Sequence, residues 1–155
     1  MLREELKKAL NSEEENIERY IDMIIFSIKD LYFALYLDDV LSVNKVLDYT
    51  KLPISPAYIK GLQFISGNAV ILFDIIYIIK NTGYNEDELK NNVILVVKHN
   101  EDYFGILANT LIDIKTIREE DIKTIEEEKY YDGTFYYNDK VITILNIKNI
   151  IQSTL

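Results

Sequence analysis

One histidine, no cysteine and a few acid clusters are all that this 155-residue chain offers to acid–base, nucleophilic or metal chemistry. His99 heads the run "HNED" with Asn100, Glu101 and Asp102. An imidazole beside carboxylates could shuttle a proton or hold a metal, but both tasks need converging groups from other segments, and no spacing here supplies them. His99 therefore reads as a turn residue. Glu126, Glu127 and Glu128 could dock a basic partner, and read first as a solvated loop. The lack of cysteine removes thiolate nucleophiles and disulfides, and fits a reducing compartment. No G-x-G-x-x-G, P-loop or EF-hand pattern occurs. The expectation is a chain with no catalytic residue, no metal and no cofactor, one that acts by binding.

The charge balance narrows what is bound. With 26 acids against 17 bases the net charge is −9, and the pI is about 4.6. Such a surface repels nucleic acid and anionic lipid, so proteins are the expected partners. The longest apolar run, 69–79, is interrupted by Asp74 and is shorter than the roughly 20 residues of a spanning helix. The start, "MLREELKKALNSEEENIER", is charged from its third residue and has no apolar core of a secretory signal. A cytoplasmic location without direct membrane insertion is expected.

The elements that must shape such a binding surface are mostly strands. Residues 1–19 read equally as a short helix, from Leu2, Leu6 and Leu10 at four-residue spacing, or as a loose acidic segment; Ser12 and Glu15 have the form of a capping box that would start a second helical turn. From Tyr20 onward, β-branched and aromatic runs cut by short polar clusters predict strands. They are placed at 21–28, 31–36, 43–50, 59–65, 69–73, 93–99, 103–107, 112–117, 132–137 and 141–146. Helical turns are placed at 37–41, 75–79, 108–111 and 147–151, and tight hairpin turns at "SGN" (66–68) and "ND" (138–139).

A repeat underlies this list. "KGLQFISGNAVILFDIIYII" (60–79) lies over "DGTFYYNDKVITILNIKNII" (132–151) at an offset of 72 without a gap, and "YFALYLDDVLSVNKV" (32–46) lies over "YFGILANTLIDIKTI" (103–117) at 71. Gly61 meets Gly133, and Asp74 meets Asn146. Residues duplicated with a fold are read as structural: the glycines for close backbone approach, Asp74 and Asn146 as acceptors at a strand-to-helix step. The predicted class is all-β, two five-stranded β-barrels related by the repeat. They span about 20–80 and 92–152 of one domain, 20–155, with strand exchange between them left open. A single ten-stranded sandwich is the alternative.

Across 20–151 this pattern resembles the CheW-like coupling proteins of bacterial chemotaxis. The matching parts are "IKG" (59–61) after "PISPAY" (53–58), Gly67 seven residues before Asp74, "YFGILANTL", and the closing "ITILNIKNII". The resemblance implies two SH3-like barrels and a scaffold that bridges the cytoplasmic tip of a chemoreceptor to the regulatory domain of the histidine kinase CheA, the receptor lying in an apolar groove near the barrel junction. It implies partner-facing roles for Val40, which matches a position near the receptor contact, and for Phe64 and Ser66 at the hairpin turn, with Lys60 as a charged candidate. Two departures stand out. The family turn N-L-R-G reads Phe64-Ile65-Ser66-Gly67 here, and the acid that often follows the valine by two is Ser42. A hydroxyl cannot replace the ion pair of a guanidinium, so a dedicated receptor or array is expected.

Overall fold

The computed structural model describes residues 2–15, 17–80 and 92–155. A helix α1 (Leu2–Glu15) precedes β1 (Tyr20–Ile28), β2 (Leu31–Tyr36), β3 (Val40–Lys45), β4 (Ile59–Ile65), β5 (Asn68–Phe73) and a short α2 (Ile75–Lys80). The second half holds β6 (Val93–His99), β7 (Asp102–Ala108), β8 (Thr110–Arg118), β9 (Lys123–Thr124), β10 (Tyr131–Tyr137), β11 (Lys140–Leu145) and α3 (Ile147–Gln152). Single 3₁₀ turns occupy Leu37–Asp39 and Glu119–Asp121.

Two sheets result, and neither is made from one half of the repeat. One is six-stranded in the order β8-β1-β2-β11-β10-β9, the other five-stranded in the order β3-β6-β7-β5-β4. The hairpin β1–β2 thus lies in a sheet otherwise made from the second half, and β6–β7 lies in a sheet otherwise made from the first. The exchange is sealed by two parallel pairings. Ile71 and Leu72 lie opposite Phe104 and Gly105, and Thr143 and Ile144 lie opposite Phe33 and Ala34. The strands of the five-stranded sheet are contiguous in sequence, whereas the six-stranded sheet is drawn from both ends of the chain.

Duplication extends to single residues. The burial sequence of β4 is the same as that of β10, and that of β5 the same as that of β11. The left-handed backbones pair as well: Lys29 with Asn100, Ser66 with Asn138, and Gly67 with Asp139. These are the turns of the hairpins, where the strand twist demands positive φ. Gly61 and Gly133 each sit at a register shift in a hairpin. A Cβ there would fall 2.6 Å from the Thr50 carbonyl oxygen and 2.7 Å from that of Lys123, respectively.

β1 explains why its sequence is almost continuously apolar. Met23 and Ile25 enter a small core with Phe135, Ile142 and Ile144, while Ile24, Phe26 and Ile28 enter a larger one with Leu72, Phe73, Leu95 and Ile106. A strand buried on both faces cannot alternate. The larger core spans both sheets and also takes Ile75 and Ile76 of α2 and Ile147, Ile150 and Ile151 of α3.

Several local expectations are corrected. Eleven strands rather than ten are present among the described residues, in sheets of six and five rather than two of five. The strand expected at 43–50 is β3 at Val40–Lys45, followed by a loop that touches β4 through a Thr50–Leu62 bridge. No helical turn forms at 108–111. Asn109 instead donates its backbone N–H to the Ser27 carbonyl, accepts from the Lys29 N–H through Oδ1 and donates Nδ2 to Asn92, and these distant partners hold the chain extended into β8. The short β9 and the turn before it were not foreseen. Residues 2–15 form one helix that runs through Ser12, so Ser12 starts no second one.

Candidate interaction surface

The residues singled out from sequence fall into three places. Val40 opens β3, which among the described residues is an edge strand paired with β6 alone. A bulge between Val40 and Ser42 shifts the register, and the two faces of the strand exchange there. Val40 is half-buried against the larger core, while Leu41 is 57% and Val43 39% exposed. Ser42 is exposed, and its Oγ accepts from Asn44 Nδ2 at 2.8 Å. The family resemblance selects Val40 and Ser42, and a helical turn expected over 37–41 gives Leu41 no strand face, so the exposed Leu41 and Val43 go unnamed in the sequence reading. The same bulge recurs in β8, where Ile112 is skipped in the pairing with β1, and Ile112 and Ile114 are exposed.

Phe64 and Ser66 lie on the β4–β5 hairpin at the other edge of the sheet. Phe64 is 72% exposed, and its equivalent Tyr136 is 79% exposed, so both rings point outward. Ser66 adopts φ 50° and is exposed at the turn beside Gly67. The two edges are tied by Gln63, a buried neighbour of Phe64. Its Oε1 accepts from the Leu47 N–H at 3.0 Å and its Nε2 donates to the Lys45 carbonyl at 3.2 Å.

Lys60 lies elsewhere, with its Nζ 3.9 Å from a carboxylate oxygen of the fully buried Asp74. Asp74 Oδ1 also accepts from the Tyr77 N–H at the start of α2, and its own N–H donates to Tyr58. The equivalent corner repeats this geometry with different charges. Asn146 Oδ1 accepts from the Asn149 N–H, its N–H donates to Tyr130, and its Nδ2 donates to Asp132 at 3.0 Å. Positions 60 and 132 thus exchange a cation for an anion as 74 and 146 exchange a carboxylate for an amide. Asp132 also accepts from Tyr36, whose hydroxyl is pushed up to about 12 by burial and by that carboxylate.

A groove of about 230 Å³ lies where the sheets meet, between the start of β3, the end of β6 and α3. Leu41, Val97, Ile147 and Ile151 give it apolar walls, and Asp38, Asp39, Lys98 on β6 and Lys148 on α3 add charges of both signs to its lining. His99 also lines it, with Nε2 3.1 Å from Gln152 Oε1 on α3. Its hydrogen-bond neighbour is thus an amide from near the end of the chain rather than a carboxylate. Among the described residues no group of three or more His, Asp or Glu side chains is placed to hold a metal ion. The arrangement suits an apolar side chain from a partner, flanked by polar contacts of either sign.

A family model described as "CheW-like domain" matches residues 22–155. A chemotaxis protein CheW of Helicobacter pylori is 27% identical over 150 residues, covering 93% of this chain and 89% of the relative. A second, from Klebsiella aerogenes, is 21% identical over 141 residues, covering 85% and 82%. The crystal structure of the scaffolding protein TtCheW from Thermoanaerobacter tengcongensis resembles this fold with a TM-score of 0.71 at 20% identity, over 87% of this chain and 90% of that one.

Proposed function

The chain belongs to the CheW-like domain family, and from that membership we propose that it is a non-catalytic adaptor of chemotaxis signalling that couples chemoreceptors to the histidine kinase CheA. The match to the family over 22–155 is the observation that carries this reading. The groove at the junction of the sheets is the natural seat for the receptor tip, because it combines apolar walls with a polar rim and opens beside the exposed Leu41. Ser42 and Val43 are exposed beside Leu41 along the same edge strand. Phe64 and Ser66 belong to a second face at the opposite edge of the same sheet, available to the kinase regulatory domain. Lys60 is engaged with Asp74 and takes a structural role, as do Gly61, Gly67, Gly133 and Asn146. The loss of the turn arginine at Ser66 points to a dedicated receptor or array. Work of this kind belongs in the cytoplasm, and among the described residues no helix is long and apolar enough to cross a membrane.

The test is affinity capture from the source cell followed by calorimetry with the purified partners. Recovery of both a receptor and a histidine kinase is expected. Recovery of neither would favour a β-barrel interaction module that regulates a different signalling complex.

A further inference from the structure

Each half of the repeat contributes one long edge strand. β3 and β8 are equivalent at an offset of 71 and are bulged at the same place: the pairing of β3 with β6 passes over Leu41, and that of β8 with β1 passes over Ile112. The other two edges are β9, which is two residues long, and β4, against which the Thr50–Leu62 bridge lays a loop. Among the described residues β3 and β8 each pair on one side alone. Such an edge presents backbone groups on which a further strand can add.

The two edges part at one residue. In β8 the Ile114 N–H donates to Asp113 Oδ1 at 2.8 Å, and the Tyr137 hydroxyl donates to Oδ2 of the same carboxylate. The N–H at this register thus faces away from β1, and the strand's own side chain takes it. The Tyr137 hydroxyl, and after it the Ile114 N–H, hold the Asp113 carboxyl below the usual carboxylate range, so the edge stays charged. In β3 the equivalent residue is Ser42, whose hydroxyl accepts from Asn44 Nδ2 instead. Val43 matches Ile114 in register, so its N–H faces the same side. One edge is sealed and its equivalent is left open.

The sequence of the open edge is complementary to itself. An antiparallel two-fold centred on Ser42 sets Leu41 of each copy opposite Val43 of the other, and Lys45 of each opposite Asp39 of the other. Both exposed apolar side chains gain a partner, and opposite charges meet at both ends. The same operation on β8 would set Asp113 against Asp113, a like-charge pair. We propose that two copies of this chain pair through β3, joining their five-stranded sheets, and that Asp113 keeps β8 from extending the pair. With both edges open, β3 of one copy could add to β8 of the next, a head-to-tail contact that does not close. At physiological ionic strength the repulsion between two chains of net charge −9 is screened over about 8 Å, and the paired charges act at shorter range.

Sedimentation of the full chain at physiological salt tests this. The wild type is expected to pass from monomer to dimer as its concentration rises through the micromolar range, with amide exchange at Val43 slowed in the dimer. Ser42→Asp copies the residue of the sealed edge and is expected to raise the dimer dissociation constant at least about tenfold, with the melting temperature of the dilute monomer unchanged. Asp39→Lys is expected to weaken the pair, and Asp39→Lys combined with Lys45→Asp to restore it. Asp113→Ser copies the open edge and is expected to give species larger than a dimer. A wild type that stays monomeric throughout overturns the pairing; if a purified chemoreceptor tip or histidine kinase then protects the Val43 amide, the edge belongs to that partner. A dimer unaffected by Ser42→Asp places the contact elsewhere and overturns the proposal, and a charge exchange that fails to rescue overturns the register. An Asp113→Ser chain that stops at the dimer removes the sealing role from Asp113.

Discussion

Gly61 and Gly133 show how much one hydrogen atom decides. In each case an added methyl would lie under 3 Å from a backbone carbonyl, and backbone yields less readily than a flexible side-chain end. Gly61→Ala and Gly133→Ala are each expected to lower stability by about 1–3 kcal/mol in urea unfolding, the usual range for overpacking. Ser42→Ala, on an exposed strand position, should stay within about 0.5 kcal/mol. Ser66 would be a poor control because its φ of 50° penalises larger side chains by itself. Tyr36 supplies a pH-dependent case. Its hydroxyl, pushed up to about 12 by burial and by Asp132, keeps its proton in the folded chain after the unfolded chain has lost it near 10.0. That contribution is complete below pH 10 and is lost as pH rises toward 12. Denaturant midpoints measured across this window should fall more steeply in the wild type than in Tyr36→Phe.

Element by element, the edge strand β3 matters most for binding. Val40 packs against the larger core while Leu41 and Val43 are exposed, so the aspartate variants should separate. Leu41→Asp and Val43→Asp are expected to weaken receptor binding at least about tenfold, equivalent to about 1.4 kcal/mol, with melting nearly unchanged. Val40→Asp should instead lower the melting temperature sharply, because a carboxylate would enter the larger core. Gln63 holds the far end of β3 to β4, and Gln63→Ala should accelerate hydrogen exchange at the Leu47 amide before the core strands are affected. Much of this layout was legible. The hairpins, α2, α3 and the two-residue turns follow from alternation, glycines and the repeat, because local propensity and tertiary environment agree there. Bulges were not legible, since a one-residue insertion leaves composition unchanged while reversing every face beyond it. The groove was unreadable for a different reason. It is assembled from β3, β6 and α3, whose residues are over 100 positions apart at the extremes. Asn109 misled in the same way, its bonds running to Ser27, Lys29 and Asn92.

For the molecule as a whole, the exchange of hairpins governs what can fold alone. Neither 20–80 nor 92–155 contains a complete sheet, since each lacks two strands that the other holds. The two fragments are expected to be unfolded by circular dichroism when separate and to regain strand signal when mixed; a folded 20–80 fragment would contradict the exchanged pairing. The exchange also sets an order of events on the ribosome. All strands of the five-stranded sheet lie within 40–108, so that sheet can assemble while the chain is still being made. The β1–β2 hairpin emerges earlier but finds its partners only after β8 and β11 have been synthesised, more than 70 residues later. Until then Met23, Ile24, Ile25 and Phe26 have no complete sheet to enter. A nascent chain arrested after residue 108 therefore presents a sticky apolar hairpin, the state in which a chaperone would be expected to hold it.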